Sequence, residues 1–170
     1  MNKPPFRTGH GFDLHIFADN RDLILGGVKI PFHRGLLGHS DADCVIHALA
    51  DSLLGAVALP DIGNLFPDSE PANKDIDSTI ILERAVNEIK SFGYCRSNVD
   101  ITIIAQKPKL SEYLPQMRMV LAKILEVEEN YVGLKATTHE KIGSLGREEG
   151  IAAHAVCYFR ELKSNNLDWN

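Results

Sequence analysis

An aspartate and a histidine stand two residues apart near the start of the chain, in the stretch GHGFDLH at residues 9–15. The alternating apolar residues around them predict a strand, in which residues i and i+2 point to the same side. Asp13 and His15 would then lie side by side on one face, with Leu14 on the other. Such a pair can supply two metal ligands, but it is also typical of a solvent-exposed strand face. A third ligand residue is needed before a metal site is favoured over a solvent-exposed strand face.

His47 is the candidate for that third ligand, because it lies on a predicted helix together with two carboxylates. Asp43, His47 and Asp51 are spaced i, i+4, i+8 and share one stripe of the helix. A histidine on such a stripe is more often a hydrogen-bonded core residue than a ligand. With Asp13 and His15, however, His47 completes a set that suits zinc and leaves a fourth position open, as in catalytic zinc sites. Asp43 and Asp51 are then candidates to orient the imidazoles.

The segment GHSDAD, at residues 38–43, has features of a phosphate-binding site. A helix N-terminus has free N–H groups and a partial positive charge, both of which suit a phosphate. His39 could donate a hydrogen bond to a phosphate oxygen. Ser40, followed three residues later by Asp43, is also predicted to cap the helix, and the two roles are compatible.

A third segment, KATTHEKIG at residues 135–143, combines a lysine, hydroxyls and a carboxylate. Lys135, Thr137 and Thr138 suit phosphate. Glu140 beside a phosphate suits a hard divalent ion such as Mg²⁺ or Mn²⁺. Threonines are also common in strands for structural reasons alone, so this stretch does not decide by itself.

The composition is that of a globular protein the size of one domain. The chain has 170 residues, is 44% hydrophobic and has a formal net charge of −5, which gives no reason to expect a nucleic-acid partner. Cys44, Cys95 and Cys157 are widely spaced in apolar surroundings, which predicts buried thiols in a reducing compartment. No apolar run has the length of a membrane span, and MNKPPFRTGH lacks the apolar core of a signal peptide. We therefore expect a cytoplasmic protein without a membrane partner.

The hydrophobic pattern predicts elements in the order ββααβαββ. Strands are expected at about 6–17, 23–31, 99–106, 131–139 and 151–162, and helices at 40–59, 78–92 and 111–127. The second strand, LILGGVKIP, is predicted to form a hairpin with the first and to carry a glycine bulge. The expected fold class is α+β: a single domain at residues 1–163 with a mixed β-sheet and helices packed on one face. A polar tail follows at 164–170.

Segments spread along the whole chain resemble those of one enzyme family, in the same order. They are GHGFDLH, GLLGHSDADCVIHAL, DIGNLFPDS, NVDITIIAQKPKL, QMR, KATTHEK and GREEGIAAHAV, and the resemblance extends from about Arg7 to Phe159. The family is that of the 2-C-methyl-D-erythritol 2,4-cyclodiphosphate synthases of the non-mevalonate isoprenoid pathway. The resemblance implies a substrate, 4-diphosphocytidyl-2-C-methyl-D-erythritol 2-phosphate, whose own 2-phosphate attacks the diphosphate phosphorus next to the erythritol. CMP leaves and a cyclic diphosphate remains.

The resemblance also implies a homotrimer with active sites between adjacent subunits, and a role for each matching residue. Zinc would be held by Asp13, His15 and His47, and a second divalent ion, Mg²⁺ or Mn²⁺, by Glu140. His39, Ser40 and Thr138 would bind phosphate, with His39 and Thr138 stabilising the transition state. Asp13 and His15 would also contact the substrate, together with Lys135 and Arg147. The sugar would be bound by Asp61, Ile62 and Gly63 and covered by Phe66, Pro67, Asp68, Ser69 and Glu70. The cytidine would be surrounded by Ala105, Gln106, Lys107, Pro108, Lys109, Leu110, Ser111, Thr137, His139 and Glu140.

Elementary chemistry agrees with this reaction. The attacking phosphate is already anionic, so no protein nucleophile or strong general base is required. Cations and N–H donors are needed instead, to neutralise charge and to fix an in-line geometry.

Two positions depart from the family pattern. Ser144 stands where the loop after EK often carries an aromatic residue. This argues against an isoprenoid diphosphate in a central trimer cavity, but not against catalysis. His139 replaces a small polar residue usual beside Glu140, so contacts on the cytidine side are expected to differ in detail.

Two other functions use the same residues. One is a metal-dependent phosphodiesterase, in which zinc-bound water attacks a nucleotide diphosphate; its hydrolysed products would distinguish it from a synthase. The other is a non-catalytic zinc-binding or isoprenoid-sensing protein. An open metal position beside a phosphate-binding helix end argues against a purely structural site.

Overall fold

The protein is built on one mixed five-stranded sheet, as a computed structural model describing residues 4–67 and 69–161 shows. The strands within these residues are β1 (Phe6–Ala18), β2 (Leu23–Leu25), β3 (Val28–Ile30), β4 (Gly35–Leu36), β5 (Tyr94–Ile104), β6 (Val132–Thr137) and β7 (Gly150–Glu161). The helices are α1 (Cys44–Ala56), α2 (Ile62–Leu65), α3 (Ser78–Ser91), α4 (Leu114–Leu125) and α5 (Gly143–Gly146), with 3₁₀ turns at Pro71–Asn73 and Glu129–Tyr131.

The strand order in the main sheet is β4-β1-β7-β5-β6. β5 and β6 are parallel, whereas β1, β7 and β5 pair antiparallel in turn. The carboxyl ends of β1, β5 and β6 therefore lie at the same edge of the sheet. The α+β class with a mixed sheet, predicted from the sequence, is confirmed.

Helix α1 lies directly on β1 and β7, α3 packs beside α1, and α4 packs against α3 and β6. Gly9 and Gly11 make this close approach feasible, because a Cβ atom on either residue would lie 1.9 Å from a carbonyl oxygen of α1. The glycines that flank His10 thus bring α1 against the strand that carries Asp13 and His15.

On the opposite side of the sheet, β1 and β7 expose large apolar side chains. Alternate residues of β1 and β7 face it, and they are between 37% and 56% exposed: Phe6, Phe12, Leu14, Ile16, Val156 and Tyr158. We call this surface, defined by those six residues, the open sheet face. Asp13 and His15 face the helices instead, as their spacing predicted.

The predicted pairing of residues 23–31 with the first strand is wrong. β2 and β3 pair with each other in a separate two-stranded sheet. Gly26 and Gly27 have positive φ angles of 58° and 72°, which places them at the turn of this hairpin and not in a bulge. β1 pairs instead with β7 along most of its length and with β4 at Phe17 and Ala18.

The predicted start of the first helix is also wrong. α1 begins at Cys44, and its N-cap is Asp43, whose Oδ1 accepts hydrogen bonds from the N–H groups of Val45 (3.0 Å) and Ile46 (3.1 Å). Ser40 does not cap the helix because Ala42, with φ of 59°, turns the chain between them. The Ser40 hydroxyl oxygen accepts the Ala42 N–H instead, at 3.0 Å.

The remaining predicted strands and helices are present, with short helices α2 and α5 inside segments predicted as loops. The domain boundary at residue 163, the tail at 164–170 and Asp68 lie outside the described residues. Across residues 4–67 and 69–161, no helix combines the length and apolar character required to cross a bilayer.

Candidate active site

The structure brings Asp13, His15 and His47 together, and we call these three residues the metal cluster. Asp13 Oδ2 lies 2.9 Å from His15 Nε2 and 3.0 Å from His47 Nδ1, and the two imidazole nitrogens are 3.2 Å apart. Three donors of a tetrahedral zinc ion, at the usual zinc–ligand distances, are about 3.3 Å from one another. The triangle is slightly smaller than this and needs little rearrangement to hold the ion.

His15 is oriented by the backbone in a way that suits a metal ligand. Its Nδ1 lies 2.7 Å from the carbonyl oxygen of Leu37, which can only accept a hydrogen bond, so Nδ1 carries the proton. The lone pair of Nε2 in the neutral ring therefore points at the carboxylate of Asp13. Two electron-rich atoms at 2.9 Å repel each other unless a cation or a proton lies between them.

The pKa values of Asp13 and His15 reflect this repulsion. Burial works against ionisation of Asp13, but the adjacent imidazoles of His15 and His47 hold its pKa well below its usual range. Burial also works to lower the pKa of His15, but its contact with Asp13 raises it above the ordinary value. A proton is thus retained where a divalent cation would bind, and binding of the cation displaces it.

Asp43 and Asp51, predicted to orient the imidazoles, have other partners. Asp43 caps α1 and accepts the N–H of Gly27 at 2.7 Å, and burial raises its pKa to about 6. Asp51 accepts the N–H of Ile62 at 2.8 Å, and burial raises its pKa. The helix stripe therefore places only His47 at the metal cluster. Its two flanking carboxylates hold the hairpin and α2 against α1.

The partners that do contact His47 were missed by the sequence reasoning. Its Nε2 lies 2.9 Å from the hydroxyl of Ser78, the first residue of α3, and 3.2 Å from that of Ser40. Ser78 is 31 positions from His47 along the chain, so no local spacing points to it.

A cavity of about 280 Å³ opens beside the metal cluster. The cavity is lined by the metal cluster and by several predicted substrate-binding residues: His39, Ser40, Ile62, Gly63 and Phe66. Asp61 is exposed at the N-terminus of α2, which it caps by accepting the Asn64 N–H at 3.1 Å. Pro67 borders the same region, since its carbonyl accepts the side-chain N–H of the cavity residue Asn73 at 3.0 Å. Ser69 and Glu70 follow as exposed residues.

The other predicted site residues form a second group, which we call the β5–β6 cluster: residues 105–111 and 137–140. Its two segments are joined because Ala105 N–H donates to the Thr137 carbonyl at 3.0 Å and Lys141 N–H donates to Gln106 Oε1 at 3.1 Å. The Thr138 hydroxyl donates to Glu140 Oε1 at 3.0 Å.

His139 stabilises the tight turn that presents Glu140. Glu140 and Lys141 both have positive φ angles, 49° and 61°, a conformation that non-glycine residues rarely adopt. The turn is closed twice, by the backbone hydrogen bond from Ile142 N–H to the His139 carbonyl at 2.8 Å and by His139 Nδ1–H donating to the Ile142 carbonyl at 2.6 Å. The histidine that departs from the family pattern thus has a structural contact of its own.

The metal cluster and the β5–β6 cluster are separated within one chain. Asp13 pairs with Ala153, which pairs with Ile103, which in turn pairs with Ala136, so all four lie at one level of the sheet. Three interstrand spacings separate β1 from β6, a distance of about 14 Å. The strand that carries Asp13 and His15 and the strand that leads into residues 137–140 are therefore not neighbours in the sheet.

Three predicted substrate-binding cations have carboxylate partners. Lys135 lies on the open side of the sheet and forms an ion pair with Asp100. It is not brought to the metal cluster. Arg147 Nε donates to Glu149 at 2.6 Å, next to α5, and Lys107 lies 3.5 Å from Glu148.

The contacts of His47 also resemble a Ser–His–Asp arrangement, because Ser40 and Asp13 lie on opposite sides of its ring. A second imidazole, that of His15, reaches the same carboxylate oxygen of Asp13 and has no counterpart in such a triad. The Ser40 hydroxyl oxygen is also buried and accepts a backbone N–H. The geometry favours a cation over an activated serine.

The fold and the site define an α+β protein with a candidate metal centre at the mouth of a cavity. The sequence profile of the YgbB family matches residues 6–160. A 2-C-methyl-D-erythritol 2,4-cyclodiphosphate synthase from Actinobacillus succinogenes is 55% identical over 150 residues, which cover 88% of this chain and 95% of that protein. The chain therefore belongs to the YgbB family, the family of the 2-C-methyl-D-erythritol 2,4-cyclodiphosphate synthases.

Solved structures of relatives share the fold. The bifunctional IspDF from Campylobacter jejuni is 39% identical with a TM-score of 0.89, and the match covers 96% of this chain but 43% of that longer one. IspF from Plasmodium falciparum, solved as a CDP complex, is 34% identical with a TM-score of 0.83, over 95% of this chain and 100% of that one. The family resemblance inferred from the sequence is confirmed.

Proposed function

We propose that this chain converts 4-diphosphocytidyl-2-C-methyl-D-erythritol 2-phosphate into 2-C-methyl-D-erythritol 2,4-cyclodiphosphate and CMP, in the non-mevalonate isoprenoid pathway. The observation that carries the proposal is the metal cluster, whose three ligand atoms lie within 4.8 Å of one another. The cavity beside it is also lined by His39 and Ser40. Membership of the synthase family supplies the substrate class.

We propose zinc at Asp13, His15 and His47, because two imidazoles and one carboxylate with an open position suit that ion. A second cation, Mg²⁺ or Mn²⁺, is assigned to Glu140, whose carboxylate suits a hard ion. When bound, the two cations would neutralise the charge of the phosphates.

The residues of the chain bind and orient the substrate. A 2-phosphate oxygen forms a bond to the phosphorus next to the erythritol, and the bond from that phosphorus to the CMP oxygen breaks, with CMP taking the electron pair. His39 and Ser40 are placed in the cavity to donate hydrogen bonds to phosphate oxygens. Thr138 is the donor from the β5–β6 cluster. Their common effect is to hold an in-line geometry and to stabilise charge.

We propose a homotrimer in which the metal cluster of one subunit meets the β5–β6 cluster of its neighbour. The separation of about 14 Å between β1, which carries Asp13 and His15, and β6, which leads into residues 137–140, supports this arrangement. The open sheet face supports it as well, since six large apolar side chains on one surface are typical of a protein–protein interface.

A charge on the open sheet face is expected to disrupt this assembly. Val156→Lys should lower the mass in solution from about three times the 18.8 kDa of one chain towards that of a monomer, and activity should fall with it. Met119→Lys is the control, because Met119 is also an exposed apolar residue but lies on α4. Light scattering after size exclusion measures the mass. A Val156→Lys protein with the wild-type mass and activity would contradict the interface.

Glu140→Gln tests the division between the two cations. The variant should keep its zinc but lose most of its response to added Mg²⁺ or Mn²⁺, because the amide is a poorer ligand than the carboxylate. Elemental analysis and activity titrated with each metal measure the two effects. Glu83→Gln, an exposed position on α3, should behave as wild type. A wild-type metal response in Glu140→Gln would refute the assignment.

Product analysis tests the proposed reaction. Incubation with the diphosphocytidyl substrate, followed by phosphorus NMR, should show a cyclic diphosphate and CMP in equal amounts. Open-chain phosphates would support the phosphodiesterase, and unchanged substrate would support a non-catalytic zinc protein.

We also propose that the protein acts in the cytoplasm. Cys44, Cys95 and Cys157 are unpaired and buried, which is the state expected of thiols in a reducing compartment.

A further inference from the structure

His47 is the end of a series of hydrogen bonds that begins at the carboxylate of Asp41 and passes through Ser78. Ser78, which is fully buried, places its hydroxyl oxygen 2.9 Å from His47 Nε2 and 2.5 Å from Asp41 Oδ1. The second oxygen of Asp41 accepts the backbone N–H of Ser78 at 3.1 Å. Asp41 thus accepts two hydrogen bonds from Ser78, and Ser78 in turn contacts His47 of the metal cluster.

The direction of each hydrogen bond in this series follows from the chemistry of Asp41. An ionised carboxylate only accepts, so the hydroxyl proton of Ser78 points to Asp41. Ser78 therefore presents a lone pair to His47, and Nε2 of the imidazole must carry the proton that is donated to it. In the neutral ring Nδ1 is then unprotonated, and it is the atom 3.0 Å from Asp13 and 3.2 Å from His15.

We propose that Asp41 is a positioning residue for the metal centre: through Ser78 it holds the proton of His47 on Nε2 and so presents Nδ1 as a metal ligand. The inference rests on the proposed metal centre and gives His47 the tautomer that such a centre requires. It parallels His15, whose outer nitrogen is held by the Leu37 carbonyl. Partners of this kind fix the ring and its tautomer in metal sites generally.

The hydrogen bonds from Asp41 through Ser78 to His47 also link the metal centre to the segment that borders the cavity. Ser78 directly follows residues 69–77, and this segment is attached to the loop before α1 by two backbone hydrogen bonds. Asp41 N–H donates to the Ile76 carbonyl at 3.2 Å, and Asp75 N–H donates to the His39 carbonyl at 2.7 Å. The hydrogen bonds that fix the start of α3 therefore also fix the orientation of the His47 ring.

Asp41→Asn is the informative substitution, because an amide can donate to Ser78 where the carboxylate cannot. The Ser78 hydroxyl is then free to donate to His47 Nε2, which moves the ring proton to Nδ1 and blocks the metal-binding atom. Ser78→Ala removes the nearer acceptor for the Nε2 proton, at 2.9 Å, and leaves only the Ser40 hydroxyl at 3.2 Å. The matched control is Asp77→Asn, which makes the same change of charge at the N-cap of α3. The exposed Asp77 carboxylate accepts hydrogen bonds from the backbone N–H and the hydroxyl of Thr79.

Two measurements on the full chain test the proposal. The first is the imidazole ¹⁵N NMR spectrum of the metal-free protein at a pH at which the rings are neutral. Wild type should show His47 protonated on Nε2, and Asp41→Asn should shift the proton towards Nδ1. The second is zinc affinity by competition with a chromogenic chelator. Asp41→Asn and Ser78→Ala should bind zinc about 10- to 100-fold more weakly than wild type, and Asp77→Asn should match wild type.

The proposal is overturned if wild-type His47 carries its proton on Nδ1, or if Asp41→Asn binds zinc within twofold of wild type. Circular dichroism establishes that each variant is folded, and the wild-type spectrum decides the question even if Asp41→Asn is not. Because that spectrum is recorded without metal or substrate, it separates this proposal from the proposed function. A wild-type protein that makes no cyclic diphosphate would refute the function and leave the tautomer to be decided by NMR.

Discussion

Replacing His47 by alanine is expected to remove most of the zinc from the purified protein and to abolish cyclisation. The imidazole supplies one of only three protein ligands in the metal cluster, and Asp13 and His15 alone hold two corners of a tetrahedron. Removing a hydrogen-bond partner of a metal ligand lowers metal affinity about 10- to 100-fold. Removing the ligand itself should lower zinc affinity further. Elemental analysis after dialysis measures the bound metal, with about one zinc expected per wild-type chain.

His33→Ala is the matched control for this experiment, because His33 is exposed and contacts the ring of Phe32 instead of the metal cluster. It should retain both zinc and activity. A His47→Ala protein that keeps a full equivalent of zinc would show that the three convergent atoms are not the binding site.

Removing the 2-phosphate from the substrate should abolish CMP release, not merely slow it. Holding the attacking group beside the diphosphate can be worth roughly 7–11 kcal/mol in favourable intramolecular reactions. A site that is shaped for a bound phosphate gives water no comparable position. The test compares CMP release from 4-diphosphocytidyl-2-C-methyl-D-erythritol with that from its 2-phosphate.

The two substrates should be compared at saturating concentrations with the same metals present. An inert truncated compound that still competes with the full substrate shows that binding is intact and that the nucleophile is missing. Rapid CMP release from the truncated compound would support hydrolysis by water.

The metal cluster was predictable from sequence because its geometry is mostly local. The spacing of Asp13 and His15 places both on one side of a strand in any regular strand conformation. His47 needed one further condition, the close approach of α1, and the glycines beside His10 in the opening stretch provide it. Here a short sequence pattern determines most of the three-dimensional arrangement.

The partners of the ligands were not predictable in the same way. Ser78 and the Leu37 carbonyl reach the imidazoles only through tertiary packing, across 31 and 22 positions of the chain. The sequence reasoning chose Asp43 and Asp51 because they are neighbours of His47 on the helix. The fold uses these carboxylates to satisfy backbone N–H groups, a demand that periodicity does not reveal.

The hairpin was misassigned for a related reason. GG between two apolar runs is compatible with a bulge or with a two-residue turn, and only the choice of strand partners distinguishes them. The separation of Glu140 and Thr138 from the metal cluster likewise follows from strand order, which the pattern of residues leaves open.

The central claim, cyclisation by the substrate's own phosphate at this metal centre, is tested most directly by running the reaction in ¹⁸O-labelled water. The full substrate should give 2-C-methyl-D-erythritol 2,4-cyclodiphosphate and CMP that both lack solvent oxygen, because every oxygen bonded to phosphorus comes from the substrate. Isotope shifts in the phosphorus NMR spectrum, confirmed by mass spectrometry, report any label. Solvent ¹⁸O in either product would contradict intramolecular transfer and identify water as the nucleophile.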